Sequence, residues 1–147
     1  MALVYIGIGS NLGDRYSNIE NAKEILIISC PAEILSESEI EETEPVDLLE
    51  QPKFLNQIIL IETDKEPLAL LKILQQIELK IGPRKTVPKG PRVIDLDILL
   101  YNDIILNLPD LTIPHPEIKN RCFVLKHLTD IAPDLIDPIT GIPYRKY

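Results

Sequence analysis

The chain has 147 residues, 45% of them hydrophobic, and a net charge of −8. That length suits one compact domain with a single substantial core, residues 1–147, and is too short for two ordinary ones. The net negative charge argues against nucleic acid as a partner, and no apolar run approaches the roughly 18 to 20 residues needed to cross a bilayer. The start, Met1-Ala2-Leu3-Val4-Tyr5-Ile6, has neither the basic region nor the small-residue cleavage site of a signal peptide. Cytoplasmic residence is therefore expected. Cys30 and Cys122 lack metal-ligand spacing and are expected as buried thiols.

Leu3 to Ile8 is apolar throughout and runs into Gly9-Ser10-Asn11-Leu12-Gly13-Asp14, a buried strand ending in a turn. Ile19, Ala22, Ile25 and Leu26 then recur at helical spacing, with Asp14 or Ser17 available as N-cap and Pro31 as the stop. Ile34 to Thr43 is weakly patterned and reads as an exposed strand. Phe54 to Thr63 is β-branched and apolar enough for a central strand. Pro67 suits a first helical turn, and Leu70, Leu71, Leu74, Ile77 and Ile81 form an apolar stripe that Gly82-Pro83 ends. Arg92 to Tyr101 reads as another strand, and Arg121 to Leu128 as a helix. The order β, α, β, β, α, β suits an α+β sandwich of the ferredoxin-like kind, with helices on one face of a mainly antiparallel sheet.

Charge is unevenly spread along this chain. From Pro31 to Pro52 there are eight acids and no base, whereas Leu79 to Ile94 holds five bases (Lys80, Arg84, Lys85, Lys89, Arg92) and no acid. The Gly-Pro and Val-Pro pairs in the basic stretch mark it as loop. Alone, it reads equally as a solvated surface loop or as an anion site. Its repelling cations lead to the expectation of a lid that closes on phosphate.

The basic loop runs directly into Gly90-Pro91-Arg92-Val93-Ile94-Asp95-Leu96-Asp97-Ile98. In a strand, residues two apart share a face, so Asp95 and Asp97 project together while Ile94, Leu96 and Ile98 enter the core. Such a pair is either bridged to arginines or bound to hard cations. Cations facing metal-binding carboxylates make a polyphosphate site. His115, between Pro114 and Pro116, and Arg121 are further candidates, though a lone histidine is more often structural; His127 is read as structural. Gly7, Gly9 and Gly13 miss the dinucleotide fingerprint because Leu12 stands where the last glycine spacing requires glycine, and no P-loop motif occurs.

Taken in order, Tyr5 to Gly13, Gln51-Pro52-Lys53-Phe54-Leu55-Asn56, Gln75-Gln76-Ile77-Glu78, Gly90 to Leu99, Pro114-His115-Pro116 and Asn120 to Leu125 resemble the 6-hydroxymethyl-7,8-dihydropterin pyrophosphokinase family of folate biosynthesis. The resemblance spans nearly the whole chain. It implies a ferredoxin-like α+β fold, two magnesium ions on Asp95 and Asp97, and transfer of pyrophosphate from ATP to the pterin alcohol, leaving AMP. It further implies catalytic roles for Asp95, Asp97, Arg92 and Arg84, and ATP contacts from Gln75, Glu78, Arg84, Arg92, Ile98, His115 and Arg121. Phe54 and Phe123 would sandwich the pterin and Asn56 would read its polar edge, with backbone groups around Thr43, Pro45 and Val46. Stacking between two aromatic faces suits a flat heteroaromatic ring, and these are the only two phenylalanines of the chain.

The chain departs from the family's pattern in two places. Gly82-Pro83 stands where the family has Gly-Arg, with Arg84 one residue further on, and Lys89 stands where it has tryptophan. Two other readings compete: a non-catalytic ferredoxin-like ligand-binding module, and a metal-dependent phosphohydrolase. The expected partners are small molecules, ATP and the pterin alcohol, acting on a monomer.

Overall fold

The computed structural model describes residues 1–45, 50–82 and 91–147. Strand β1 (Ala2–Ser10) lies at the centre, antiparallel to β4 (Phe54–Thr63) on one side and to β5 (Asp95–Tyr101) on the other. Strand β4 in turn carries β2 (Glu33–Glu37) and β3 (Glu41–Thr43), both antiparallel to it. The expected single strand over 34–43 is thus two strands. They part at Ser38, whose hydroxyl accepts the Ile58 amide at 2.9 Å. A separate ribbon pairs β6 (Leu106–Asn107) with β7 (Thr112–Ile113).

Helices α1 (Arg15–Ser29) and α2 (Pro67–Ile81) cover one face of the sheet. Asp14 caps α1 by accepting the Ser17 amide at 3.1 Å, which satisfies one of the unpaired donors of the first turn. Proline at the start of α2 costs no helical hydrogen bond. Both helices bury the residues their spacing picked out: Ile19, Ala22 and Leu26 from α1, and Leu70, Leu74 and Ile77 from α2. These pack on Val4, Ile6, Ile8, Ile59, Ile61, Leu96 and Ile98. At the end of α2, a Cβ on Gly82 would stand 2.3 Å from Val93 Cβ, so only glycine lets the helix end pass so close to that residue.

The helices are not confined to one face. Helix α3 (Cys122–Ile131) packs on the other side, where Val124 and Leu128 join Ile58, Leu99, Leu100 and Ile118. The cause lies in β5: Tyr5 pairs with Leu100 but Ile6 pairs with Ile98, so Leu99 is an extra residue. That register shift turns two adjacent leucines toward the second face and creates an apolar surface that must be covered. The chain after Pro133 folds back to help, with Ile136 bridged to Pro143 and Tyr144 buried in the same second core. Cys30 is buried, its Sγ 3.2 Å from Thr63 Oγ1, whereas Cys122 is exposed at the first position of α3, contrary to expectation.

Candidate active site

Beside α3 the second face of the sheet forms the floor of a cleft. Alternation along the strands sends Asp95 and Asp97 to this face, away from Leu96 and Ile98, as the sequence spacing implied. Across the ladder, Asp95 sits opposite Gly9 and Asp97 opposite Gly7, while Gly9 and Gly7 are paired on their other side with Asn56 and Ile58. Two glycines therefore separate the acidic strand from β4 and leave the floor without side chains. A Cβ at Gly9 would meet Asn56 Oδ1 at 3.2 Å and Phe54 Cδ1 at 3.5 Å. The glycine signal in β1 thus concerns space above a floor.

Cationic and polar side chains rim this floor. Arg92 pairs with Asp95, one of the two carboxylates. The Arg92 guanidinium also lies 6.0 Å from the centre of the Phe54 ring, and its Nε is buried without a hydrogen-bond partner among the described residues. The same is true of Arg121 Nε, which is 3.8 Å from the Glu117 carboxylate, beyond hydrogen-bond range. Buried guanidinium N–H groups without partners are costly to leave, and they are met by anionic oxygens. The His115 amide is anchored on Leu99 O at 2.9 Å, and its Nδ1 accepts the Glu117 amide at 3.1 Å. An accepting Nδ1 puts the ring proton of the neutral form on Nε2.

Two asparagines hold the entry to this rim. Asn11, buried, accepts the Arg92 amide on Oδ1 at 2.7 Å and donates from Nδ2 to Gln51 Oε1 at 3.0 Å and Pro52 O at 2.9 Å. Asn18 Nδ2 reaches Ser10 Oγ, Leu12 O and Val93 O. These bonds take the backbone at 92–93 out of the ladder, and β5 accordingly begins at Asp95 rather than at Arg92.

Thr43, Phe54, Asn56, Arg92, Asp95, Asp97, His115, Arg121 and Phe123 all line the cleft. Asn56 Nδ2 is bonded to Thr43 Oγ1. Four other expected site residues do not line it. Gln75 is exposed on α2, Pro45 is buried, and the Ile98 side chain is in the first core. The Glu78 carboxylate accepts the Leu96 amide at 2.9 Å, tying α2 to the edge strand. Val46, Arg84, Pro83 and Lys89 lie outside the described residues, as do residues 83–90 of the Gly82 to Arg92 stretch expected as a lid. The cleft also includes residues the sequence reading left out: Gln51, Glu117 and the buried His127.

Residues 5–133 match the family model for 7,8-dihydro-6-hydroxymethylpterin-pyrophosphokinase (HPPK). The chain belongs to this family. It is 40% identical to the 2-amino-4-hydroxy-6-hydroxymethyldihydropteridine pyrophosphokinase of Bacillus subtilis, over 88% of this chain and 78% of that protein. It is 42% identical to the folic acid synthesis protein fol1 of Schizosaccharomyces pombe, over 98% of this chain and 20% of that protein. The chain thus spans about a fifth of the length of such fungal relatives. The HPPK-DHPS of Plasmodium falciparum superposes on it with a TM-score of 0.76 at 16% identity, covering 99% of this chain and 41% of that one. Another HPPK-DHPS, crystallised with substrates, gives a TM-score of 0.75 at 18% identity over 99% and 42% of the two chains. Those two likenesses establish the α+β fold.

Proposed function

We propose that this HPPK chain transfers the pyrophosphoryl unit of ATP to the hydroxymethyl oxygen of 6-hydroxymethyl-7,8-dihydropterin, as a step of folate biosynthesis. The observation that carries the reading is the placement of Asp95 and Asp97 over a glycine floor, between the arginine rim and the pair Phe54 and Phe123. The alcohol oxygen forms a bond to the β-phosphorus, and the bond from that phosphorus to the α,β-bridging oxygen breaks. AMP leaves with the bridging oxygen, and the alcohol proton is lost.

The chain's own residues bind and orient. Arg121 and His115 Nε2–H face the phosphates, and Arg92 joins them by exchanging its Asp95 partner for a phosphate oxygen. Phe54 and Phe123 hold the pterin plane, and Asn56, fixed by Thr43, reads its edge. Such positioning brings alcohol and phosphorus into line, which is most of what phosphoryl transfer asks of a protein. Gln75, Glu78, Arg84 and Ile98 are assigned to the nucleotide, and backbone groups at Thr43, Pro45 and Val46 to the pterin.

A divalent cation fits Asp95 and Asp97. They offer hard carboxylate oxygens from one face, and among the described residues no group of three or more His, Cys, Asp or Glu could hold a metal. A site with one or two carboxylates that leaves the other positions to phosphate and water suits magnesium better than calcium or zinc. We assign two such ions here, which when bound would neutralise charge on the transferred phosphoryl group. We also assign the 147 residues to one catalytic unit, acting as a monomer in the cytoplasm.

Incubation with ATP, magnesium and the dihydropterin tests the reading. AMP that forms only when the pterin is present supports it, whereas phosphate release without pterin would indicate the phosphohydrolase. Absence of turnover would leave a binding module.

A further inference from the structure

We propose that His127 is a specificity-determining residue of the pterin pocket, its Nδ1 accepting a hydrogen bond from an N–H group on the edge of the ring. This rests on the pterin reading above and adds a residue to it. His127 is 1% exposed, yet it lines the cleft. It lies one helical turn after Phe123 on α3, so the two side chains share a side of the helix. Its Nδ1 has no hydrogen-bond partner among the described residues. A core histidine ordinarily has its ring nitrogens satisfied, and one left open against a cleft is a position for a ligand atom.

The other nitrogen fixes which kind of atom. His127 Nε2 is 3.0 Å from Glu41 Oε1, without hydrogen-bond alignment, and the same oxygen accepts Lys126 Nζ at 3.1 Å. That Lys126 bond holds the Glu41 carboxyl below its usual range, so the oxygen is an acceptor. A carboxylate beside Nε2 favours the ring proton there and leaves the Nδ1 lone pair without a partner among the described residues at the cleft wall. Glu41 is also the register partner of Asn56, so the pair sits at the end of the same cross-strand row. The row reads Glu41, Asn56, Gly9, Asp95, with the ring-reading groups at one end and the phosphate-handling carboxylate at the other. An acceptor at His127 complements the amide and amino N–H groups of a pterin and rejects a ring that offers a carbonyl there.

The test is titration of protein with 15N-labelled histidine, using the dihydropterin and, separately, a non-hydrolysable ATP analogue with magnesium. Addition of pterin should shift the His127 Nδ1 resonance, and the analogue alone should leave it in place. His127→Leu should weaken pterin binding roughly five- to tenfold and raise the pterin KM with little change in kcat, while nucleotide binding stays within about twofold. His127→Gln, whose amide oxygen can still accept, should recover part of the loss. An unmoved Nδ1 resonance in wild-type protein saturated with pterin would overturn the assignment of His127 and leave the function standing. Wild-type protein that binds no pterin would overturn the functional reading itself. The resonance needs no substitution, so a His127→Leu protein that fails to fold does not block the decision.

Discussion

Asn11 and Arg92 exchange two hydrogen bonds across the chain: the Asn11 amide donates to Arg92 O at 3.0 Å, and the Arg92 amide donates to Asn11 Oδ1 at 2.7 Å. The remaining donors of Asn11 hold Gln51 and Pro52, which lead into Phe54. One buried side chain therefore positions both Arg92 and the segment leading into Phe54, the residues proposed to meet the phosphates and the pterin. Asn11→Ala should cost about 2 kcal/mol of stability, because it strands a backbone N–H and a carbonyl in a half-buried setting. Urea denaturation should show a lower midpoint with unchanged slope. The affinity for ATP and for pterin should both fall, and loss of one alone would disprove the shared role.

Asp97→Asn should abolish turnover in a protein that melts like wild type. The substitution keeps the shape but removes one of the two carboxylates that strand β5 presents to the cleft. Asp95→Asn should act alike and also release Arg92 from its partner. Near-wild-type AMP production by folded Asp97→Asn protein would rule out the carboxylate-held magnesium.

Phe54→Ala or Phe123→Ala should weaken pterin binding by about 1 kcal/mol or more through lost stacking and burial. Calorimetric titration should show a smaller effect on the ATP analogue. Equal losses for the two ligands would mean that the rings serve the core.

Much of this site was legible from the sequence because strands report their faces in alternate residues. Asp95 and Asp97, set among Ile94, Leu96 and Ile98, could point only one way once the apolar residues were buried. Phe54–Thr63 was bounded correctly because Ile58 to Ile61 is an apolar, mostly β-branched run. What could not be read depends on tertiary contact. His127 follows Lys126 in a helix and reads as structural, and only the arrival of β3 beside α3 shows it buried against Glu41 at the cleft. The second face likewise depends on the extra Leu99, a one-residue register shift with no mark in composition. Without it, nothing in the sequence says that α3 must cross to the other side.

Acid stability should carry a component from Asp137. Its carboxylate is 2% exposed; burial pushes its pKa up, but the Ile139 amide, Lys119 and Thr140 outweigh that and hold it below the usual value. A group depressed in the folded state stabilises above its unfolded pKa, about 3.9, and that contribution is lost as pH falls through the folded value. Wild-type stability should therefore drop below about pH 4 more steeply than that of Asp137→Asn, measured by thermal melts across pH. Parallel pH profiles would show that Asp137 does not couple to folding.

The glycine floor gives the last prediction. Gly9 is buried between Asp95 and Asn56, and its missing side chain leaves the Asn56 amide facing the cleft. Gly9→Ala would place a methyl group 3.2 Å from Asn56 Oδ1, closer than ordinary contact, and 3.5 Å from Phe54 Cδ1. Asn56 cannot simply retreat, because its Nδ2 is already bonded to Thr43 on the neighbouring strand. The methyl must therefore rise into the cleft, where the pterin is proposed to rest, or displace the Asn56 amide. In a strand, alanine carries a lower entropic cost than glycine, so stability should change little, by about 1 kcal/mol or less in either direction. Pterin affinity should fall by tenfold or more, roughly the loss of one hydrogen bond together with poorer stacking. Nucleotide affinity should hold, because the arginine rim does not touch the new methyl group. Gly7→Ala provides the control: the nearest atoms to its Cβ would be Leu99 side-chain atoms, at 3.6 Å and beyond, which is ordinary contact. If both substitutions weaken pterin binding equally, the effect comes from the strand as a whole, and the specific clearance above Gly9 is not what admits the ring.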